Sequence, residues 1–255
     1  MALVEQERRG MVALLRFNRP EARNAINPET SEAMAEILDA IEVDPAVRAV
    51  VLTGTGEIFS AGADLKVIAA GRGAEIARAK GGFAGVGTRN FPKPIIAAVQ
   101  GPALAGGFEI VLSCDLVVAA ETARFGIPEV QRGLLAAGGG LLRLPKRIPL
   151  AIALELAMTG DPIDAPRALQ LGLVNRVVPA AQVVDVAIAL AERIGQNSPI
   201  AVRQSRQLVR EAVEMTEEEG WRRTNELVMA MFESGDALEG ATAFAEKRAP
   251  VWKST

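Results

Sequence analysis

The chain has 255 residues, of which 49% are hydrophobic and 23% charged, so a sizeable core is expected, in one large domain or one domain with a small appendage, and disorder is not. A formal net charge of −3 gives no electrostatic case for nucleic-acid binding, and a single cysteine, Cys114, allows no internal disulfide, which fits a reducing, cytoplasmic setting. The absence of histidine excludes a zinc or iron site built on His and Cys, and with no tyrosine either, proton chemistry falls mainly to carboxylates.

The N-terminal MALVEQERRG is charged and has none of the apolar run of a secretory signal. No apolar stretch reaches the roughly 18–20 residues of a membrane span. Residues 11–17 (MVALLRF) read as a strand that Asn18-Arg19-Pro20 ends. Asn27-Pro28-Glu29 is a helix start, with Asn as N-cap, Pro in the first turn and an acid at the positive end of the dipole. Met34, Ile37, Leu38 and Ile41 continue it at helical spacing until Asp44-Pro45. Residues 49–52, 95–99 and 116–119 are short apolar runs that read as buried strands. Strands alternating with helices predict an α/β fold with parallel pairing.

Residues 69–90 mix six glycines with Ala, Arg and Lys and read as a weak helix followed by a mobile loop, either an exposed connection or a lid over a ligand. Residues 165–171 are helical up to Gly172, and 173–178 form a strand. After Asn197-Ser198-Pro199 only charged amphipathic helices remain, over 199–213 and 216–233. A boundary near residue 196 separates a sheet-containing body, 1–195, from a helical unit, 196–255. That unit is short enough to need the body, or a neighbouring subunit, to pack against.

Three segments carry candidate chemistry. FSAGADLK (residues 59–66) follows the strand at 49–52; Gly62 permits a tight turn, Ala63 leaves its own N–H uncovered, and Asp64 caps the next helix. Taken alone it also suits an ordinary strand-to-helix turn. GPALAGGFE (residues 101–109) follows the strand at 95–99, and Gly106-Gly107 let backbone approach a ligand closely just before Glu109 on a helix. Glycines here would equally serve helix–sheet packing. Phe125–Gly140 (FGIPEVQRGLLAAGGG) sets Glu129 after a proline and ahead of three consecutive glycines. An isolated Glu is usually a surface residue; the succession of two glycine-bearing turns and two glutamates, with no histidine to compete, gives these two weight. Neither GxGxxG nor GxxxxGK[ST] occurs. Cys114 sits in an apolar stretch and reads as a small buried hydrophobe.

In order and spacing, FSAGADLK, AGGFE and FGIPEV…GGG resemble the crotonase (enoyl-CoA hydratase/isomerase) superfamily, as do RFNRPEARNAI near the start and AFAEKRAPVWK near the end. The resemblance implies a spiral of ββα units with a C-terminal helical trimerisation region, a homotrimer or dimer of trimers, and an acyl-CoA thioester substrate with no further cofactor and no metal. It implies an oxyanion hole from the N–H groups of Ala63 and Gly106, and catalysis by Glu109 and Glu129, both of which the hydratase subgroup carries. It places CoA against Arg23, Ala25, Ala61, Ala63, Asp64, Leu65, Lys66 and Gly106, with Phe244 and Lys247 serving the ligand of a neighbouring subunit. Two departures stand out: Ala105 where many members have a third glycine, and Ala136-Ala137 where hydratases often carry Pro-Gly.

The leading expectation is thus a hydro-lyase adding water in syn fashion to a trans-2-enoyl-CoA, as in fatty-acid β-oxidation. DALEGATAFAEKRAPVWK and GGFE also resemble carnitinyl-CoA dehydratases, the runner-up. An enoyl-CoA isomerase needs only one carboxylate. A non-catalytic acyl-CoA-binding or scaffold protein would need neither.

Overall fold

The computed structural model describes residues 2–253. The chain opens with an antiparallel pair, β1 (Val4–Arg9) and β2 (Val12–Phe17), followed by α1 (Pro28–Val43), β3 (Ala49–Gly54) and α2 (Leu65–Ala69). Then come β4 (Ile95–Val99), β5 (Ala103–Leu104), α3 (Gly106–Ser113), β6 (Leu116–Ala120) and β7 (Arg124–Gly126). The rest runs α4 (Gly140–Arg143), α5 (Leu150–Thr159), β8 (Ile163–Asp164), α6 (Ala165–Gln170), β9 (Arg176–Val178), α7 (Val183–Gly195), α8 (Pro199–Ala212), α9 (Glu217–Glu233) and α10 (Asp236–Glu246).

Six strands form the main sheet in the order β1-β2-β3-β4-β6-β9, parallel throughout except for β1 against β2. The parallel pairing inferred from the strand–helix alternation is present. β3 and β4 are buried along their whole length, which explains why both read as unbroken apolar runs: the sheet is covered on two faces. α7 packs over β2, β3, β4 and β6 through Val183, Ala187, Ile188 and Ala191. A smaller sheet, β5-β7-β8, stands apart and carries the turns described below.

The helix ends follow the local chemistry. Asn27 Oδ1 accepts the N–H of Thr30 at 2.9 Å and Pro28 opens α1. At its far end Lys93 Nζ donates to the carbonyls of Ile41 (2.7 Å) and Asp44 (2.6 Å), holding the last turn. α9 starts with a reciprocal Thr216/Glu219 capping box.

Four differences from the sequence reading have physical causes. β1 is an edge strand whose charged residues point outward, so its pattern looks like a polar flank. β5, β7 and β8 have two or three residues each, too few for a periodic signal. The strand foreseen at 173–178 pairs only over Arg176–Val178. Residues 83–87, assigned to a mobile loop, are buried against α1, and Ala84 N–H donates to Ser31 Oγ at 3.1 Å. Among the described residues, only α8, α9 and α10 follow residue 198; α8 is fastened to the body where Arg206 donates to the Phe91 carbonyl (2.7 Å) and Arg210 pairs with Asp115 (2.7 Å).

Candidate active site

The first wall is built by the turn after β3. An isolated parallel bridge joins Ile26 to Ala63: Ile26 N–H donates to the Gly62 carbonyl and Asp64 N–H donates to the Ile26 carbonyl, both at 2.8 Å. These bonds lie on either side of Ala63, whose own N–H therefore faces away from the bridge. Gly62 takes φ +90°, and a Cβ there would fall 2.6 Å from the Gly106 nitrogen. The two glycine turns are thus packed backbone on backbone.

The second wall begins at β5. Ala105 has φ 53° and ψ −132°, a conformation almost reserved for glycine, and it directs Gly106 into the first position of α3. That geometry accounts for the glycine other members place here. As the first residue of the helix, Gly106 has no intrahelical partner for its N–H. Gly107 is equally confined: a Cβ would lie 2.1 Å from the Ser60 carbonyl oxygen.

Glu109 lies one turn into α3 and is 4% exposed. Its Oε1 accepts the N–H of Gly140 at 2.8 Å. Burial raises its pKa, and the N–H groups of Gly140 and Gly138 together with the nearby Arg143 charge oppose that rise. Glu129 sits in a 3-10 turn, Pro128–Arg132, just past β7. Its Oε2 is buried and has no hydrogen-bond partner in the protein. Burial pushes Glu129 up to about 7, the Glu109 charge adds to the rise, and its own backbone N–H and Arg132 pull the other way. One carboxylate is therefore anchored by backbone donors, while the other keeps an unsatisfied oxygen and holds its proton near neutral pH.

Both carboxylates border a cavity of about 540 Å3. Arg23, Ala61, Ala63, Leu65 and Gly106 also line it. Ala25, Asp64 and Lys66 are not among its wall residues. Asp64 instead caps α2 by accepting the Lys66 N–H (3.1 Å) and pairs with Arg19 (3.1 Å), Lys66 is exposed, and the Ala25 carbonyl accepts from Arg19 at 2.6 Å. Phe244 and Lys247 are exposed at the end of α10, Phe244 to 88%, and are not wall residues either.

The apolar wall comes from Ile68, Leu134 and Leu135, which sequence reading did not single out, and from Ile76 and Phe83 within the 69–90 segment. The Phe83 ring rests on Gly106, where a Cβ would be 2.5 Å from Phe83 Cζ. Among the described residues no group of His, Cys, Asp or Glu side chains could hold a metal ion, and no helix is long and apolar enough to cross a membrane. Cys114 is buried, and burial pushes its thiol up to about 12, which leaves it inert.

A family model described as enoyl-CoA hydratase/isomerase matches residues 7–255. Among curated relatives, the carnitinyl-CoA dehydratase of Proteus mirabilis (strain HI4320) is 42% identical over 252 residues and that of Salmonella typhi 44% over 253, in both cases 96% of each chain. Among solved structures, the enoyl-CoA hydratase EchA1 from Mycobacterium marinum aligns with a TM-score of 0.94 at 45% identity over 99% of each chain. The carnitinyl-CoA hydratase from Mycobacterium avium aligns with a TM-score of 0.78 at 47% identity over 98% of each.

Proposed function

Because the chain belongs to the enoyl-CoA hydratase/isomerase family, we propose that it is a hydro-lyase that adds or removes water across the Cα–Cβ bond of a CoA thioester. The observation that carries this reading is the pairing of Glu109 and Glu129 across one cavity beside the N–H groups of Ala63 and Gly106. An isomerase would need one carboxylate and a dry site; a binding protein would need neither.

In hydration, the thioester oxygen accepts from Ala63 and Gly106, and the negative charge that develops as Cβ is attacked settles there. A single such donor is typically worth about 2.7–4 kcal/mol. Glu109, ionised and held by Gly140, takes a proton from water as its oxygen bonds to Cβ. Glu129, protonated, delivers its proton to Cα as the enolate collapses. Run backwards, Glu129 removes the α-proton and Glu109 protonates the departing hydroxyl. The neighbouring charges drive the two carboxylates toward opposite protonation states, as the chemistry requires.

For the substrate, the named relatives favour a 3-hydroxyacyl thioester of the carnitinyl-CoA kind, dehydrated to the corresponding enoyl-CoA. A second reading, a trans-2-enoyl-CoA with an uncharged acyl chain, has its own support. A trimethylammonium group is ordinarily held by several aromatic faces, and Phe83 is the single aromatic among the wall residues. By the same family resemblance, a neighbouring copy supplies Phe244 and Lys247 to the CoA site.

The deciding assay follows the conjugated-thioester absorbance with crotonyl-CoA and crotonobetainyl-CoA, for the wild type, Glu109→Gln and Glu129→Gln. Turnover lost in both variants is expected, and the faster thioester identifies the acyl class. Full activity in both variants would sink the two-carboxylate reading.

A further inference from the structure

Arg143, at the end of α4, stands behind the site and is not one of the cavity's wall residues. Its Nη1 donates to the Gly138 carbonyl at 3.2 Å and its Nη2 to the Gly87 carbonyl at 2.5 Å. We infer that this guanidinium is the positioning residue that ties the glycine loop gripping Glu109 to the turn carrying Phe83, holding Glu109 in register with the Gly106 donor.

The first bond fixes the glycine loop that grips Glu109. Gly138 and Gly140 present N–H groups to the carboxylate, and both lie so close that a Cβ would meet it: 2.7 Å from Oε2 at Gly138 and 3.0 Å from Cγ at Gly140. Gly139, between them, has no room for a side chain either, because a Cβ would meet Arg143 Nη1 at 2.1 Å. The loop is wedged between carboxylate and guanidinium, and three glycines in a row are what that wedge requires.

The second bond reaches the turn that carries Phe83. Gly87 N–H donates to the Phe83 carbonyl at 2.9 Å, and the Phe83 ring abuts Gly106, whose N–H is one of the two candidate oxyanion donors. A continuous chain of contacts therefore runs from Glu109 through Gly138–Gly140, Arg143, Gly87 and Phe83 to Gly106. A neutral side chain of similar length could fill the space and would not tie both carbonyls at once.

The charges around this clamp are few. Glu109 faces Arg143 and Glu129; Arg143 faces Glu109, Arg210, Arg147 and the neutral thiol of Cys114. Removing the Arg143 charge takes away favourable charge beside Glu109, so its pKa rises further. Because the reaction needs Glu109 ionised, the acidic limb of the pH–rate profile moves to higher pH.

This inference rests on the two-carboxylate reading and is tested with three variants in the hydration assay: Arg143→Met, Arg143→Gln and Arg143→Lys. A displacement of the reacting groups by about 1 Å costs on the order of 10²-fold. Met is expected to lose about 10–100-fold in kcat with KM little changed, and its acidic limb moves up. Gln keeps N–H donors without the charge, so its limb moves as in Met with a smaller loss of kcat. Lys keeps the charge, restores the limb and recovers part of kcat. Wild-type kcat and an unmoved limb in the folded Met or Gln variant would overturn the clamp. If Met does not fold, Gln and Lys carry the comparison. Glu109→Gln in the same assay separates the two failures: activity retained there condemns the mechanism itself, whereas activity lost there with wild-type behaviour at Arg143 condemns only the clamp.

Discussion

Glu109 and Gly140 are joined by a hydrogen bond of 2.8 Å across 31 residues of chain, from the N–H that opens α4 to a carboxylate inside α3. The bond occupies one carboxylate oxygen and orients the other. Glu129 has no such anchor: its buried Oε2 lacks a protein partner. That difference in surroundings is the basis for the proposed division of the two carboxylates into a base and an acid.

Glu129 is raised to about 7 in the folded chain from an ordinary 4.5. As a proton donor it is active when protonated, so hydration falls as pH rises through about 7, while the limb set by ionisation of Glu109 lies on the acid side; the pair titrates with shared macroscopic values. Stability follows the same sign. The unfolded chain releases this proton at the lower pH, so folding weakens as pH climbs from 4.5 to about 7 and then levels off. Glu129→Gln removes that penalty: at pH 8 its Tm is higher than wild type by a few degrees, although its kcat is down by about 10²–10⁴. Calorimetry of both proteins at pH 5 and pH 8 checks this. An equal Tm difference at both pH values would show that burial does not hold the proton.

Gly106→Ala places a methyl 2.5 Å from Phe83 Cζ. Overpacking of this kind costs about 1–3 kcal/mol, and the displaced N–H costs about 10²–10³ in rate. Phe83→Ala in the same chain relieves the clash, so the double variant unfolds at a higher temperature than the two single losses, added together, would give. A double-mutant cycle on Tm reads the coupling directly, and strict additivity would mean the ring yields without cost.

Gly138→Ala tests the grip on Glu109 from the other side. The added Cβ meets Oε2 at 2.7 Å, so the carboxylate must turn. A loss of about 10–100-fold in kcat is expected, with a Tm near wild type because the loop lies at the surface of the cavity rather than in the core. A collapse of Tm would assign the glycine to packing instead.

Phe244 is 88% exposed at the end of α10, and Val209, Met229, Phe232 and Leu238 on the three C-terminal helices are exposed as well. If a second copy covers them and borrows Phe244, sedimentation shows an oligomer and Phe244→Ala raises KM for the CoA thioester with little effect on kcat. A monomer with unchanged KM in the variant would confine the site to a single chain.

Much of this site could be read before any fold was known, and the reasons are local. Glu109 and Glu129 stand beside glycine turns in a chain without histidine, and both border the one cavity that the turns frame. The buried strands β3, β4 and β6 are apolar runs because both faces of the sheet are covered. What stayed hidden depends on distant partners. In LLRLPKR, Arg143 looks like any charge on a helix surface, and only folding brings it to the carbonyls of Gly87 and Gly138. Residues 69–90 have no hydrophobic period because their order comes from α1, where Gly85 approaches so closely that a Cβ would sit 2.9 Å from the Ala35 nitrogen. Asp64, Ala25 and Lys66 sit in the motif and off the cavity wall, a distinction of side-chain direction that spacing does not carry.

The small β5-β7-β8 ribbon has an architectural consequence. Leu104 N–H donates to the Ser60 carbonyl at 3.1 Å and Ala105 N–H to the Gly126 carbonyl at 2.9 Å, so the turn bearing Ala63, the kink before Gly106 and the approach to Glu129 are all laced to one three-stranded support. The candidate catalytic groups thus hang from a jig of their own, beside the six-stranded sheet rather than within it. Stabilising or loosening substitutions around Ile96 or Val118 would then shift the temperature at which the enzyme fails while its turnover below that temperature stays the same, so that durability and catalytic tuning can be altered as separate properties of one chain.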